Sequence, residues 1–192
     1  MKPKQILIVG IQRSGTSWLS ALLGAHSKVN MLYEDIGDNI FKLYGKPVQG
    51  NKLVLWTQIR PYKKKTLFKS LFYRLTNWRV FPTCRMSLFD YIKRGAKIII
   101  ITRGSDAVIR SMMKRANYTY RQAENEYARG LSIINWLYTV ADIYEMNYDA
   151  LRQNKVNALS DLCEWIGIDF EIEMLNGEDF NFAYLKQQNA RI

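Results

Sequence analysis

The sequence has few of the residues that build disulfide frameworks, zinc sites or membrane spans. It contains two cysteines, Cys84 and Cys163, and a single histidine. Two cysteines so far apart exclude a disulfide framework and a cysteine-based zinc site, and they favour a reducing, cytoplasmic location. No apolar run approaches the roughly 18 residues of a transmembrane helix, and the first apolar stretch is too short for a signal peptide. We therefore expect no metal and no transmembrane segment.

Repeats, low-complexity tracts and linkers rich in proline or glycine are also missing. The 192 residues are 48% apolar and 23% charged, which is typical of an ordinary globular protein and not of a disordered one. A chain of this length corresponds to little more than one domain. We predict a single domain over residues 1–192, with a basic, aromatic-rich insertion at about 58–86.

Acidic residues are absent from positions 39–89, a window that holds eleven lysines and arginines. Between positions 142 and 179 the balance inverts, with ten acids against two basic residues. The charge of the segment 39–89 therefore equals the whole net charge of +11. This concentration of positive charge favours an anionic partner on that side. A solvated basic face is the alternative interpretation.

The insertion mixes its cations with Tyr62, Phe68, Phe72, Tyr73, Trp78 and Phe81. Aromatic rings among lysine and arginine can bind sugars, acidic peptides, single-stranded nucleic acid or a membrane surface. The same stretch also fits an amphipathic helix in which Leu67, Leu71 and Leu75 pack inward. Both interpretations can hold at once.

Short aliphatic runs alternate with helical patterns along the chain. The predicted strands are 6–9 and 98–101, with 53–57 as a third candidate and 29–33 as a weaker one. The predicted helices are 16–25, 106–115, 121–140 and 157–166, the last ended by Gly167. This alternation indicates an α/β fold with a mainly parallel sheet, in which ligands bind at the carboxyl ends of the strands.

The first predicted strand leads directly into the segment GIQRSGTSW, residues 10–18. Two glycines separated by four residues and followed by two hydroxyl residues form the skeleton of a phosphate-binding loop. The nucleotide-hydrolase pattern requires lysine after the second glycine, where this chain has Thr16. The strand 98–101 is followed by Thr102 and Arg103, not by a magnesium-binding aspartate. The loop is therefore suited to a phosphate without the usual metal.

The segment GIQRSGTSW resembles the 5′-phosphosulfate loop of sulfotransferases that use 3′-phosphoadenosine-5′-phosphosulfate (PAPS), in the form with arginine that is found in the tyrosylprotein and several bacterial branches. The resemblance implies a three-layer α/β/α fold like that of P-loop proteins. It also implies that Arg13 contacts the 5′-phosphosulfate and steadies the leaving phosphate. By the same resemblance Trp18 lies against the adenine, and the 5′-phosphate is cradled by Ser14, Gly15, Thr16 and Ser17.

A second motif supports the same family. Sulfotransferases contact the 3′-phosphate of the donor with an arginine at the end of a strand and a serine eight residues later. Arg103 and Ser111 have this spacing. A guanidinium group can contact two phosphate oxygens at once while the serine hydroxyl donates from the following helix. The resemblance also extends to residues 147–151 and the helix after them, for which we expect a structural role.

The general base of sulfuryl transfer takes the proton of the acceptor hydroxyl or amine. Glu34 follows the predicted strand 29–33 and falls where the tyrosylprotein branch has its catalytic glutamate. Asp35 is adjacent and is the alternative. His26 occupies a position where the tyrosylprotein branch has a histidine that is not the base, so we expect it to pack at the helix end.

The sequence thus predicts a sulfotransferase that moves a sulfuryl group from PAPS to an unidentified acceptor and releases 3′-phosphoadenosine 5′-phosphate (PAP). An anionic carbohydrate, an acidic peptide or a small molecule would fit as acceptor, and nucleic acid is not the expected partner. A degenerate P-loop kinase or hydrolase and a non-catalytic polyanion-binding module are the alternatives. The chain lacks a clear Arg-Lys-Gly element near its end, where Lys186 and Arg191 are candidate substitutes.

Overall fold

The computed structural model describes residues 3–62 and 85–177, and within them a five-stranded sheet forms the centre of the fold. The strands are β1 (Lys4–Gly10), β2 (Val29–Tyr33), β3 (Val48–Val54), β4 (Lys97–Thr102) and β5 (Ile143–Asn147). They are all parallel and lie in the order β2-β3-β1-β4-β5. β2 and β3 lie on one side of β1, and β4 and β5 lie on the other. The carboxyl end of β1 therefore lies at the point where a doubly wound sheet opens a crevice.

Helices cover both faces of this sheet. They are α1 (Thr16–Gly24), α2 (Leu88–Lys93), α3 (Ser105–Ala116), α4 (Tyr120–Val140), α5 (Tyr148–Gln153) and α6 (Lys155–Ile166). Two short 3₁₀ segments lie at Asn39–Phe41 and Ile172–Asn176. Gly167 has a φ of 81° and ends α6, as predicted. None of the helices in the described ranges is long and apolar enough to cross a membrane.

The side chains of the central strands alternate between two hydrophobic cores. Leu7 and Val9 of β1 pack with residues of α2, α3 and α4, whereas Ile6 and Ile8 pack with residues of α1, α5 and α6. The same alternation separates the isoleucines of β4. All of these side chains are fully buried, as expected of a parallel sheet covered on both faces. The predicted three-layer α/β/α fold is therefore confirmed.

The predicted strand at 53–57 was wrong in its position, since β3 spans Val48–Val54. β3 carries Gln49, Asn51 and Lys52, all buried, so its sequence does not read as an apolar run. These polar groups have partners, because Asn30 donates to Gln49 Oε1 at 3.0 Å and Asn51 donates to the carbonyl of Asp35 at 2.8 Å. After β3 the chain turns sharply, and Trp56 has a φ of 65°.

One strand and two helices are missing from the predicted elements. β5 mixes apolar and polar residues, and α2 and α5 have only six residues each. The prediction of a single domain with an insertion at 58–86 stays a prediction, because most of that insertion, residues 63–84, lies outside the described residues. The candidate substitutes Lys186 and Arg191 lie outside them as well.

Candidate active site

The loop between β1 and α1 is packed so tightly that both of its glycines are required. A Cβ atom on Gly10 would lie 2.4 Å from Ser14 Oγ and 2.8 Å from the carbonyl oxygen of Ile101. Gly15 has a φ of 110°, and a Cβ atom there would lie 2.5 Å from the ring of Tyr148. A side chain at either position would displace the loop from β4 or from Tyr148.

Helix α1 begins at this loop with its amino end toward a pocket. Gly15 is the N-cap residue and provides no side chain to bond the first N–H groups of the helix. These groups and the helix dipole therefore favour an anion at this end. Thr16 and Ser17 line the pocket, and the Ser17 hydroxyl accepts a hydrogen bond from Tyr33 Oη at 2.6 Å.

The pocket lies at the carboxyl ends of β1, β3 and β4 and has a volume of about 400 Å³. It brings together seven of the predicted residues: Arg13, Gly15, Thr16, Ser17, Glu34, Arg103 and Ser111. Four cationic side chains line it, those of Arg13, Lys52, Arg103 and Arg115, whereas Glu34 is the one carboxylate among its lining residues in the described ranges. The electrostatic potential of the pocket is therefore positive, which favours anionic ligands.

The two predicted phosphate-binding motifs meet in this pocket. Arg13 Nε donates a hydrogen bond to Ser111 Oγ at 3.2 Å, across 98 positions of the sequence. The guanidinium group of Arg103 stacks over the ring of Tyr148 at 4.4 Å. Its Nε is buried and has no hydrogen-bond partner among the described residues. A buried donor without a partner is costly, so an arriving anion would stabilise this arrangement.

Ser14 and Trp18 do not line the pocket. The Ser14 side chain is 1% exposed, and its hydroxyl finds no partner within residues 3–62 and 85–177. Trp18 is buried in the core and packs edge-on against Tyr148, with ring centroids 5.4 Å apart. Tyr148 is the member of this aromatic pair that lines the pocket. The predicted contacts of Ser14 with the phosphate and of Trp18 with the adenine remain predictions.

Glu34 stands at the end of β2 in a left-handed conformation, with a φ of 55°. Its carboxylate forms an ion pair with Lys52 Nζ. Asp35 does not line the pocket, and its carboxylate accepts hydrogen bonds from Gly37 N–H at 2.8 Å and Asn39 Nδ2 at 2.7 Å. Of the two candidate bases, the structure therefore brings Glu34 into the pocket and uses Asp35 in a turn.

Lys52 is a pocket residue that the sequence reasoning missed. Its side chain is only 2% exposed, and Nζ lies 4.3 Å from the centroid of the Tyr33 ring. Burying an ammonium group costs several kcal/mol unless it is paired, so the lysine holds the Glu34 carboxylate firmly. A lysine immediately before the apolar run Leu53–Leu55 was the available signal. Thr57 and Gln58 also line the pocket. They were missed because Thr57 was assigned to the end of a predicted strand and Gln58 to the insertion.

His26 is fully buried and is not among the residues that line the pocket. Its Nε2 donates to the carbonyl of Asp169 at 2.7 Å, and Nδ1 accepts from Lys28 N–H at 2.9 Å. This arrangement agrees with the expected packing role at the end of α1. In the described part of the chain no group of three or more His, Cys, Asp or Glu side chains is placed to hold a metal ion.

Arg115 in the last turn of α3 and Tyr118 just after this helix also line the pocket. Burial raises the pKa of the Tyr118 phenol, and the nearby Glu126 carboxylate raises it further. The phenol is therefore neutral at physiological pH and can donate a hydrogen bond but carries no charge.

Comparisons with known proteins agree with this geometry. A family model described as a sulfotransferase domain matches residues 3–191. A comparison with curated protein sequences finds no match.

Several solved structures are similar in fold. The sulfotransferase domain of the Synechococcus PCC 7002 olefin synthase superimposes with a TM-score of 0.60 and 17% identity, over 93% of this chain and 78% of that chain. Mouse sulfotransferase SULT7A1 complexed with PAP gives a TM-score of 0.59 and 14% identity, over 90% of this chain and 62% of that chain. Sulfotransferase STF1 from Mycobacterium tuberculosis H37Rv gives 0.56 and 14%, over 92% of this chain and 71% of that chain.

Proposed function

Because the chain belongs to the sulfotransferase family, we propose that it transfers a sulfuryl group from PAPS to a hydroxyl or amine acceptor, with Glu34 as the general base. The observation that carries this proposal is the hydrogen bond between Arg13 and Ser111, 3.2 Å long. It joins the residue proposed to contact the 5′-phosphosulfate to one proposed to contact the 3′-phosphate. A donor with phosphates at both ends of its ribose would use both motifs together.

On the donor side, the chain offers a loop, a helix end and two guanidinium groups. The amino end of α1 with Thr16 and Ser17 would hold the 5′-phosphate, and Arg103 with Ser111 would hold the 3′-phosphate. The ring of Tyr148, supported by Trp18, presents an aromatic surface for the adenine. The structural similarity to SULT7A1, which was solved with PAP bound, supports this assignment. We call Arg13, Arg103 and Ser111 the donor wall.

On the opposite side, Glu34, Lys52 and Gln58 form what we call the acceptor wall. Glu34 would take the proton of the acceptor hydroxyl as the hydroxyl oxygen forms a bond to sulfur. The bond between sulfur and the oxygen of the 5′-phosphate breaks, and Arg13 would stabilise the charge that develops on that oxygen. The ion pair with Lys52 holds the Glu34 carboxylate at the pocket. This positioning of the base would supply part of the rate enhancement.

The test is calorimetric binding of PAP, beside 5′-AMP and ATP with magnesium. We expect PAP to bind without metal and at least about tenfold more tightly than 5′-AMP, because hydrogen bonds to charged groups contribute about 1.5–3 kcal/mol each. Transfer of ³⁵S from labelled PAPS to a panel of acceptors would then measure the activity itself.

Other results would contradict the proposal. Binding of ATP with magnesium alone would favour a degenerate P-loop kinase or hydrolase. Binding of none of the three nucleotides, together with strongly salt-dependent binding of a polyanion such as heparin, would favour a non-catalytic polyanion-binding module.

A further inference from the structure

The side chain of Asn51 holds the backbone directly after Glu34. Asn51 belongs to β3, is fully buried and is not among the residues that line the pocket. Its Nδ2 donates to the carbonyl of Asp35 at 2.8 Å, and its Oδ1 accepts from the N–H of the same residue at 3.2 Å. One amide side chain therefore binds both backbone polar groups of the residue that follows Glu34.

The partners of Asn51 fix the orientation of its carboxamide. Lys52 N–H also donates to Oδ1, at 2.9 Å. Backbone N–H groups can only donate, so the atom that meets two of them is the oxygen, and the nitrogen faces the carbonyl of Asp35. The nitrogen also donates to Tyr91 Oη at 3.3 Å. Both hydrogens of the nitrogen and both lone pairs of the oxygen are thus used, so the buried amide is held in one geometry.

Glu34 depends on this contact because its backbone is left-handed, with a φ of 55°. That conformation is disfavoured for residues other than glycine and persists where neighbouring contacts impose it. Before the strained residue's own side chain, Glu34 N–H donates to the carbonyl of Lys52 at 3.1 Å. After it, Asn51 holds the N–H and the carbonyl of Asp35. The backbone of Glu34 is therefore fixed from β3 at both ends.

We propose that Asn51 is a positioning residue for sulfuryl transfer, which holds the backbone that directs the Glu34 carboxylate at the acceptor. A general base must lie within hydrogen-bonding distance of the proton that it takes, and a displacement of about 1 Å can lower a rate by about 10²-fold. Asn51 does not line the pocket, so its loss should lower kcat and leave the binding of PAP unchanged. This inference rests on the proposed sulfotransferase function.

Gln49 offers a matched control on the same strand. It lies two positions before Asn51, which places both side chains on one face of β3, and it is equally buried. Its amide accepts from Asn30 Nδ2 at 3.0 Å and donates to the carbonyl of Lys46 at 3.1 Å. Gln49→Ala therefore deletes a buried amide that connects β3 to β2, but at the end of these strands away from Glu34.

The experiment measures kcat with ³⁵S-labelled PAPS and the affinity for PAP by calorimetry. The acceptor probes are phenol, N-acetylglucosamine, heparin and an acidic peptide that contains tyrosine, and release of ³⁵S-sulfate to water is measured beside them. We expect Asn51→Ala to lower kcat by about 10- to 100-fold, and Gln49→Ala to lower it by less than about threefold. Asn51→Leu keeps a branched side chain without polar atoms and should lower kcat as Asn51→Ala does, so that a cavity is not the cause. All three variants should keep the Kd of PAP within about threefold of the wild type.

A double variant tests whether Asn51 acts through Glu34. In Glu34→Gln the base is already lost, so the exact position of this side chain no longer matters. Adding Asn51→Ala to Glu34→Gln should therefore lower kcat by less than about threefold more. A general structural role would lower kcat by the same factor in both backgrounds.

The inference would be overturned if both Asn51 variants kept kcat within about threefold of the wild type, or if Gln49→Ala lowered it equally. An equal fall in the wild-type and Glu34→Gln backgrounds would also overturn it. Loss of PAP binding in both Asn51 variants would show that Asn51 supports the fold as a whole and not Glu34. A wild type that does not bind PAP without metal, or that transfers sulfate neither to a probe nor to water, would instead contradict the proposed function.

Discussion

The donor wall and the acceptor wall face the same pocket but handle charge in opposite ways. On the donor wall two guanidinium groups and a hydroxyl converge, and the buried Nε of Arg103 has no hydrogen-bond partner in the described ranges. On the acceptor wall the buried ammonium group of Lys52 is already neutralised by Glu34. The first arrangement favours an anionic ligand, whereas the charges of the second are paired within the protein.

The variant Glu34→Gln, on the acceptor wall, should have the largest effect on turnover. The amide oxygen can still accept from Lys52, but the side chain can no longer take a proton, so we expect kcat to fall by about 10²–10⁴-fold. The affinity for PAP, measured by calorimetry, should change by less than about threefold because the donor wall is intact. Asp35→Asn is the control and should keep most of the turnover. Full turnover in Glu34→Gln would show that Glu34 is not the base.

The variant Arg13→Ala tests the donor wall. Loss of the cation that stabilises the leaving phosphate should lower kcat/KM for PAPS by about 10²–10³-fold. Arg110→Ala removes an exposed arginine of α3, the helix that carries Ser111, and is the matched control. Steady-state kinetics of the two variants at equal ionic strength would compare them. Equal effects would mean that only general positive charge is required.

The variant Ser111→Ala separates the two phosphates of the donor. It should weaken binding of PAP by about tenfold, since it removes a hydrogen bond to a charged group, while the affinity for 5′-AMP should barely change. Ser132→Ala, an exposed serine of α4, serves as control. Equal losses for both nucleotides, measured by calorimetry, would assign Ser111 to holding Arg13 and not to the 3′-phosphate.

The smallest expected effect lies outside both walls, at Glu171. The hydroxyl and N–H of Ser27 donate to this carboxylate and lower its pKa below the ordinary value of 4.5. Because the folded-state pKa is the lower one, the stabilisation is present above about pH 5 and is lost as the pH falls through the folded-state pKa. Glu171→Gln should therefore lower Tm by about one or two degrees at pH 7, and the difference from the wild type should shrink as the pH falls below 4.5 and through the folded-state pKa. A difference that is constant with pH would exclude this linkage.

The sequence predicts the donor wall more completely than the acceptor wall, for a physical reason. Arg103 directly follows β4, and Arg13 lies three residues after β1. Both strands are rich in isoleucine, leucine and valine, so strand and loop are visible as patterns. β3 is equally buried but carries Gln49, Asn51 and Lys52, whose partners are far apart in sequence. Hydrophobic periodicity cannot detect a buried strand whose polar side chains are satisfied by tertiary contacts.

Single residues of the loop between β1 and α1 show a second limit of prediction from sequence. The segment GIQRSGTSW identifies the loop, yet the side chain of Ser14 is buried against β4 and Trp18 belongs to the hydrophobic core. Side-chain directions in a loop depend on backbone angles such as the φ of 74° at Arg13, which residue types alone do not determine. Gln58 is a comparable case, because its hydrogen bond with Val54 N–H depends on where β2 ends.

The contact between Arg13 and Ser111 also makes the nucleotide a reporter of the pairing of β1 with β4. Residues 10–18 and 103–111 form one binding surface because these two strands are neighbours in the sheet, although β2 and β3 lie between them along the chain. Any ligand that binds only the native state stabilises it by mass action, by about 2.7 kcal/mol at a concentration one hundred times its Kd. PAP should therefore raise the melting temperature of the intact chain, whereas a fragment ending before β4 should show no such shift, and mixing complementary fragments would restore it only if they reassemble.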